Sequence, residues 1–139
     1  MIELGVQNVK QVITGNDNIV IRQINSTIEG GRALDVTDFK AVSGTSVVNA
    51  GTVIIRANGK YKPMPVVMNE GVLGYGTLPE GYEYAGILIA SINGEYEGAG
   101  ILTDGVVNKS KDVMPIDITS ILSAVKTALP NIIFMEDCE

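Results

Sequence analysis

The feature that most constrains the fold is a series of short β-branched segments between residues 50 and 108, separated by turn signals. Apolar runs such as residues 52–56 and 84–91 have the length of strands, about four to eight residues, and are too short for typical helices. Turn signals occur at Asn58-Gly59, Asn93-Gly94 and Asp104-Gly105, and the last two are spaced roughly 10 residues apart. This pattern predicts a mainly β fold, a hairpin-rich barrel or sandwich.

Other segments complete this prediction. Asn58-Gly59 is a strong hairpin signal, because a type I′ turn needs positive φ at both central positions. Gly86 inside an apolar run indicates a bulge or a close backbone approach. The Gly-rich residues 69–82 are predicted to form a long surface loop. Further strands are predicted around residues 19–24, 32–36, 60–62, 97–102, 106–109 and 131–134.

One segment near the end of the chain has the spacing of an amphipathic helix. Its apolar residues, at positions 118, 121, 122, 125 and 129, fall on one helical face, which we expect to pack on the core. Asp117 is placed to cap the start of the helix. Pro130 disfavours helical geometry at Leu129 and ends it. The fold prediction is therefore mainly β with one short C-terminal α-helix.

Composition limits the classes of partner. A chain of 139 residues is expected to form one domain, and its net charge of −6 disfavours nucleic acid, which is bound by clustered Lys and Arg. No window approaches the roughly 18 uninterrupted apolar residues of a membrane span. The first residues also lack the pattern of a signal peptide. We expect no nucleic-acid or membrane partner, and assembly in a cytoplasm.

The densest basic groups are the pairs Lys60/Lys62 and Lys109/Lys111. At alternate positions on a strand, the members of each pair share one face. A solvated strand face is the general expectation for such charges. Contact with an acidic partner surface is the alternative.

The residues with catalytic potential form no recognisable site. The chain has no histidine, which removes the commonest general base and zinc ligand, and Cys138 is its single cysteine, which rules out an intrachain disulfide. Residues 43–46 lack the Gly-Lys-Ser/Thr ending of a phosphate loop. We predict no enzyme, cofactor or metal site, with a lysine or carboxylate mechanism as an open alternative. The carboxylate pairs that could serve one lie in or beside predicted loops: Asp35/Asp38, Glu80/Glu83 and Glu95/Glu97.

Five sequence pieces occur in a family order. They are Ala-Gly-Thr-Val and Gly-Lys-Tyr within residues 50–61, Ala-Gly-Ile-Leu at residues 85–88, Gly-Val-Val-Asn at residues 105–108, and Ile…Ala-Leu…Ile-Ile-Phe within residues 118–134. Over residues 46–134 this order resembles phage head decoration proteins, the family of the lambda capsid-stabilising protein. Residues 30–36 are more similar to head fibre-like proteins of Bacteroidetes phages.

The resemblance implies a structural virion protein that binds the capsid exterior and stabilises the expanded head. Such a protein is a homotrimer at three-fold or quasi-three-fold positions, in contact with the major capsid protein. By this resemblance the chain divides into an extended N-terminal arm (residues 1–25), a β-rich decoration domain (residues 26–134) and a mobile acidic tail (residues 135–139). In the family the arm orders on the capsid. The apolar residues of the arm are therefore assigned to capsid contact: Val6, Val9, Val12 and Ile13.

Three tyrosines, Tyr75, Tyr82 and Tyr84, cluster in and after the Gly-rich segment. Because tyrosine is enriched at interfaces where one end stays wet, we assign them to a trimer or partner interface. Packing over the rim of the sheet is the alternative. A different function, as the base of a head fibre or as a host-surface or carbohydrate-binding module, could use the same residues.

Overall fold

A computed structural model describes residues 17–28, 31–110 and 113–135 of the chain. The described residues form ten strands and several short helices in the following order: α1 Asp17–Val20, β1 Ile21–Thr27, α2 Thr37–Ser43, β2 Val47–Val48, β3 Val53–Ala57, β4 Lys60–Pro63, β5 Val66–Asn69, β6 Val72–Tyr75, β7 Glu83–Leu88, β8 Ile92–Asn93, β9 Ile101–Asn108, α3 Leu122–Ala128 and β10 Ile132–Met135. This composition confirms the prediction of a mainly β fold with a short C-terminal helix.

Six strands build one open, mostly antiparallel sheet. Its order is β1-β9-β7-β3-β4, and β10 also pairs with β9. One edge of β9 holds β1, while β7 and β10 share the other edge. The β10 pairing is parallel, which a crossover through α3 makes possible. Two separate two-stranded sheets, β2 with β8 and β5 with β6, complete the strand pairing of the described residues.

The core lies around the central strands β3 and β7. Val53, Ile54 and Ile55 are consecutive in β3 and all fully buried. Because successive side chains point to opposite faces, both faces of the sheet are covered at this point. Gly86 of β7 sits beside a register shift against β3, and a Cβ there would collide with the carbonyl oxygen of Leu102 in β9. The predicted close backbone approach at Gly86 is confirmed.

Helix α3 is shorter than predicted and starts later. Asp117 does not cap it; its carboxylate instead accepts hydrogen bonds from the backbone N–H and hydroxyl of Thr119, at 3.0 and 2.6 Å, and Ile121 stands at the N-cap without a side-chain bond. The predicted end is right, since Leu129 before Pro130 leaves helical geometry, as Pro130 requires. The apolar stripe packs largely as expected: positions 118, 125 and 129 are buried, and positions 121 and 122 are partly buried against the core.

The turn predictions have mixed outcomes. Asn58 and Gly59 both have positive φ, 53° and 77°, and join β3 to β4 as predicted. The predicted turn at Asp104-Gly105 is wrong, because both residues lie inside β9. Gly105 is there because a Cβ would collide with the carbonyl oxygen of Gln23 in β1. The two strands predicted over residues 97–109 are consequently the single strand β9.

The hairpin predicted at Asn93-Gly94 is present, with a longer connection than a two-residue turn: β7 before it and β9 after it pair antiparallel. Asn93 ends β8, which pairs with β2. Its carbonyl accepts backbone hydrogen bonds from Tyr96 and Glu97, each at 3.0 Å. The turn at residues 93–97 therefore lies, with the short strand β8, in the connection between the paired strands β7 and β9.

The predicted domain boundaries shift at both ends. Residues 21–25, assigned to the N-terminal arm, belong to β1 of the main sheet, and Met135, assigned to the tail, belongs to β10. Residues 1–16 and 136–139 lie outside the described residues. The strand predicted at residues 32–36 is reduced to single bridges of Arg32 with Ala99 and of Leu34 with Tyr61.

Candidate interaction surfaces

The β5–β6 hairpin is a small sheet separate from the main one. Its turn consists of Glu70 and Gly71, which both have positive φ, 53° and 80°, the geometry of a type I′ turn. The register pairs Val67 with Gly74 and Asn69 with Val72, so these four residues share one face. The hairpin lies within or beside the stretch that the sequence predicts to be a loop, and that prediction is wrong for residues 72–75.

The outward face of this hairpin is apolar and exposed. Val67 is 52% exposed and Val72 67%, and Met68, on the opposite face, is 50% exposed. Gly74 places no side chain between them, leaving a shallow groove of about 340 Å³ with Asp117 and Ser120 on its wall. Single exposed apolar residues are ordinary, but a contiguous apolar patch marks a site of protein contact. We define Val67 and Val72, which share one face of the hairpin, as the hairpin patch.

Tyr75 fixes the hairpin to the core. It is buried, and its hydroxyl oxygen accepts a hydrogen bond of 3.0 Å from the backbone N–H of Val53 in β3. Burial raises the pKa of Tyr75, an effect that the Val53 hydrogen bond partly opposes. The prediction that Tyr75 lies at an interface is therefore wrong. The buried residue connects the β5–β6 hairpin, and with it the hairpin patch, to β3.

The other two predicted interface tyrosines are partly buried. The ring of Tyr82 lies under the Lys62 ammonium, 4.7 Å from nitrogen to ring centroid. Tyr84 is on β7, and desolvation by burial raises its pKa. Both pack against the core, which corresponds to the rim-packing alternative. The exposed tyrosine is instead Tyr96, 82% exposed, which the sequence interpretation did not select.

A second exposed apolar surface lies on β10. Ile133 is 60% exposed and Met135 is also exposed, and they share one face because side chains alternate along a strand. Ile133 pairs in register with Val106 of β9, and Val106 pairs in turn with Gln23 of β1. Beyond Val106, the polar side chain of Gln23 borders this strip. The predicted capsid-contact residues Val6, Val9, Val12 and Ile13 lie outside the described residues.

The residues weighed for chemistry make structural contacts. The Ser43 hydroxyl donates to the carbonyl of Thr45 at 3.0 Å, and the Ser46 hydroxyl donates to Oδ1 of Asn93 at 2.9 Å. These bonds hold the turn after α2 and the β2–β8 pair. They are the bonds of a turn, as the sequence interpretation prefers for residues 43–46.

The carboxylate pairs are likewise engaged with neighbours. Three acidic side chains accept from a cation at 2.8–3.2 Å, forming the pairs Lys40–Glu95, Arg56–Glu83 and Lys62–Asp38. Glu83 raises the pKa of Arg56, and Glu95 raises that of Lys40. Among the described residues, no group of three or more acidic or cysteine side chains is arranged to hold a metal ion. No helix in the described ranges is long and apolar enough to cross a membrane.

Comparisons with protein-family models, with curated proteins and with solved structures give no match for this chain. The function of this chain is therefore inferred from its exposed surfaces and its sequence. The sequence missed the hairpin patch because the Gly-rich composition of residues 69–82 favours a loop. The available signal was the Glu70-Gly71 turn between two valine-containing runs, residues 66–68 and 72–73.

Proposed function

We propose that this chain is a structural protein of a phage head, which binds the outer surface of the capsid and stabilises the expanded shell. The observation that carries this proposal is the hairpin patch. Val67 and Val72 expose apolar surface on one face of a hairpin that is hydrogen-bonded to the core through Tyr75. A pre-positioned apolar surface loses little conformational entropy when it binds. The order of sequence pieces supplies the class of partner, a capsid protein.

A decoration role follows from binding alone and needs no active site. A protein that binds the expanded shell and not its alternatives stabilises that shell by mass action. At a concentration of 100 times Kd the effect is about 2.7 kcal/mol per site. As a homotrimer at three-fold or quasi-three-fold positions, the protein would engage several coat subunits at once and gain avidity.

The test is co-sedimentation with expanded, undecorated heads of the parent phage over a concentration series. The wild-type chain is expected to pellet with the heads and to saturate at a fixed ratio to the coat protein. The Val67→Asp/Val72→Asp double variant places charges in the contact and is expected to lose binding by at least about tenfold. Because both side chains are exposed, the variant should unfold at nearly the wild-type temperature.

The matched control is Ile133→Asp, which adds a charge to the exposed strip on β10. Its binding is expected to remain within about twofold of wild type. Loss of binding in Ile133→Asp with normal binding of the hairpin variant would move the contact to β10 and keep the function. Failure of the wild-type chain to pellet would reject the capsid role and direct the search to host-surface glycans.

A further inference from the structure

A groove separate from the hairpin patch lies between residues 31–35 and the β3–β4 turn. It has a volume of about 450 Å³, and the buried side chains of Leu34 and Tyr61 line it. Gly31 and Gly59 also line it, and a Cβ on either would meet no heavy atom within 4 Å. Leu34 and Tyr61 therefore give the groove an apolar surface, and no side chain at the two glycines narrows it.

Arg32 packs its guanidinium against a ring at this groove. Its guanidinium carbon lies 5.6 Å from the centroid of the Tyr61 ring. Its backbone exchanges two hydrogen bonds with Ala99, at 2.9 and 2.7 Å. A guanidinium stacked on a ring keeps its N–H donors available at its edge.

Lys60 supplies a second cation on the same lining. Neither Arg32 nor Lys60 forms an ion pair with any carboxylate in the described part of the chain, whereas Lys40, Arg56 and Lys62 each do. The chain has 16 acidic and 10 basic residues. With two cations, Arg32 and Lys60, and one carboxylate, Asp35, the groove lining has a formal charge of +1, opposite in sign to the net charge of the chain.

One carboxylate, that of Asp35, also lines the groove, and it is engaged elsewhere. It accepts a hydrogen bond of 3.1 Å from the backbone N–H of Thr37 at the start of α2. That hydrogen bond, together with the one from the Thr37 side chain, lowers the pKa of Asp35, and Lys62 and Lys60 add to the effect. Asp35 therefore offsets part of the positive charge near Lys60.

We infer that this groove binds an acidic, extended segment of another protein, with Arg32 and Lys60 contacting carboxylates while Leu34 and Tyr61 contact an aliphatic side chain between them. The planar guanidinium matches a carboxylate in geometry. A net charge of −6 repels long polyanions such as nucleic acid, and two cations are too few to offset it. The binding of an acidic segment here does not depend on the capsid proposal.

The test uses the full chain and a short fluorescent peptide in which glutamates alternate with leucines, followed by fluorescence anisotropy. Saturable binding that weakens with added salt is expected. Arg32→Glu and Lys60→Glu are each expected to weaken it by at least about tenfold. The matched control is Lys126→Glu on α3, an equal change of charge at an exposed residue away from the groove, and its affinity should stay within about twofold of wild type.

A peptide with glutamines in place of the glutamates is expected to bind at least about tenfold more weakly than the acidic peptide. Equal binding of the two peptides, or an equal loss in Lys126→Glu, would overturn the site. Displacement of the acidic peptide by a lower concentration of oligothymidylate would assign the groove to nucleic acid instead. If the circular dichroism spectrum shows that Arg32→Glu does not fold, the affinity of the acidic peptide is measured with Arg32→Gln and Lys60→Glu instead.

Discussion

Tyr75 shows how one buried polar atom links the hairpin to the core. Its hydroxyl is the acceptor for the backbone N–H of Val53, at a point where the β3 side chains are fully buried. A buried N–H without an acceptor costs about 1–3 kcal/mol. The tyrosine is therefore a stability residue for the hairpin, although the sequence pattern favoured an interface role.

Tyr75→Phe tests this role and its pH dependence. Removal of the hydroxyl is expected to lower the free energy of unfolding by about 1–3 kcal/mol near neutral pH. Burial holds the pKa of Tyr75 above its ordinary value of 10.0, so above pH 10 the unfolded chain releases a proton that the folded chain keeps. The stabilisation is thus fully present below about pH 10 and decreases as the pH rises further.

The measurement is urea unfolding of both proteins at about pH 8 and about pH 11. The difference in unfolding free energy between wild type and Tyr75→Phe is expected to be smaller at the higher pH. Tyr84, whose pKa is also raised, is present in both proteins, so its titration cancels in the difference. The same difference at both pH values would show that the Tyr75 hydroxyl ionises equally in the folded and unfolded chains.

At the scale of elements, the sequence predicts those turns and strands whose conformation depends on neighbouring residues in the chain. The Asn58-Gly59 turn is visible in the sequence because positive φ is a property of those two residues. Gly105 is different, since its backbone is extended within β9 and the reason for glycine there is β1, about 80 residues away in sequence. The same limit applies to the β5–β6 hairpin, whose strands are held by Tyr75 and Val53 and not by strong turn residues alone.

Around α3, burial distinguishes two residues that the sequence pattern treats as equal. Ile118 precedes the helix and is fully buried, whereas Leu122 in its first turn is only partly buried. Ile118→Ala is expected to lower the free energy of unfolding by about 2–5 kcal/mol, the range for large-to-small changes in a core. Leu122→Ala should cost less than half as much, because solvent already reaches its side chain. Chemical denaturation of both variants compares them directly.

An equal loss of unfolding free energy in the two variants would contradict the difference in burial. It would show instead that Ile118 and Leu122 pack equally on the core, as the helical spacing of the sequence predicts. The exposed Ala128→Ser serves as the control for general effects in the helix and should change stability by less than about 0.5 kcal/mol.

At the scale of the whole molecule, the described residues form one core and expose surfaces of two chemical kinds. The core surrounds β3 and β7, the apolar patch lies on the separate β5–β6 hairpin, and a groove lined by two cations lies beside the β3–β4 turn. The mainly β class could be predicted because strand length and turn spacing are local properties. The position of the hairpin patch could not, since it depends on which of several valines the core leaves exposed.

Heat stability of the heads tests the molecule at this scale. If the chain binds only the expanded shell, the melting temperature of expanded heads is expected to rise with the concentration of free protein, because each tenfold increase above Kd adds about 1.4 kcal/mol per site. Differential scanning calorimetry should show no rise for heads that have not expanded. At the same concentration, the Val67→Asp/Val72→Asp variant should stabilise expanded heads by about 1.4 kcal/mol per site less than wild type for each tenfold loss of affinity. A rise of equal size in expanded and unexpanded heads would mean that the protein does not discriminate between the two states, and the stabilising role would then have to come from a contact common to both shells.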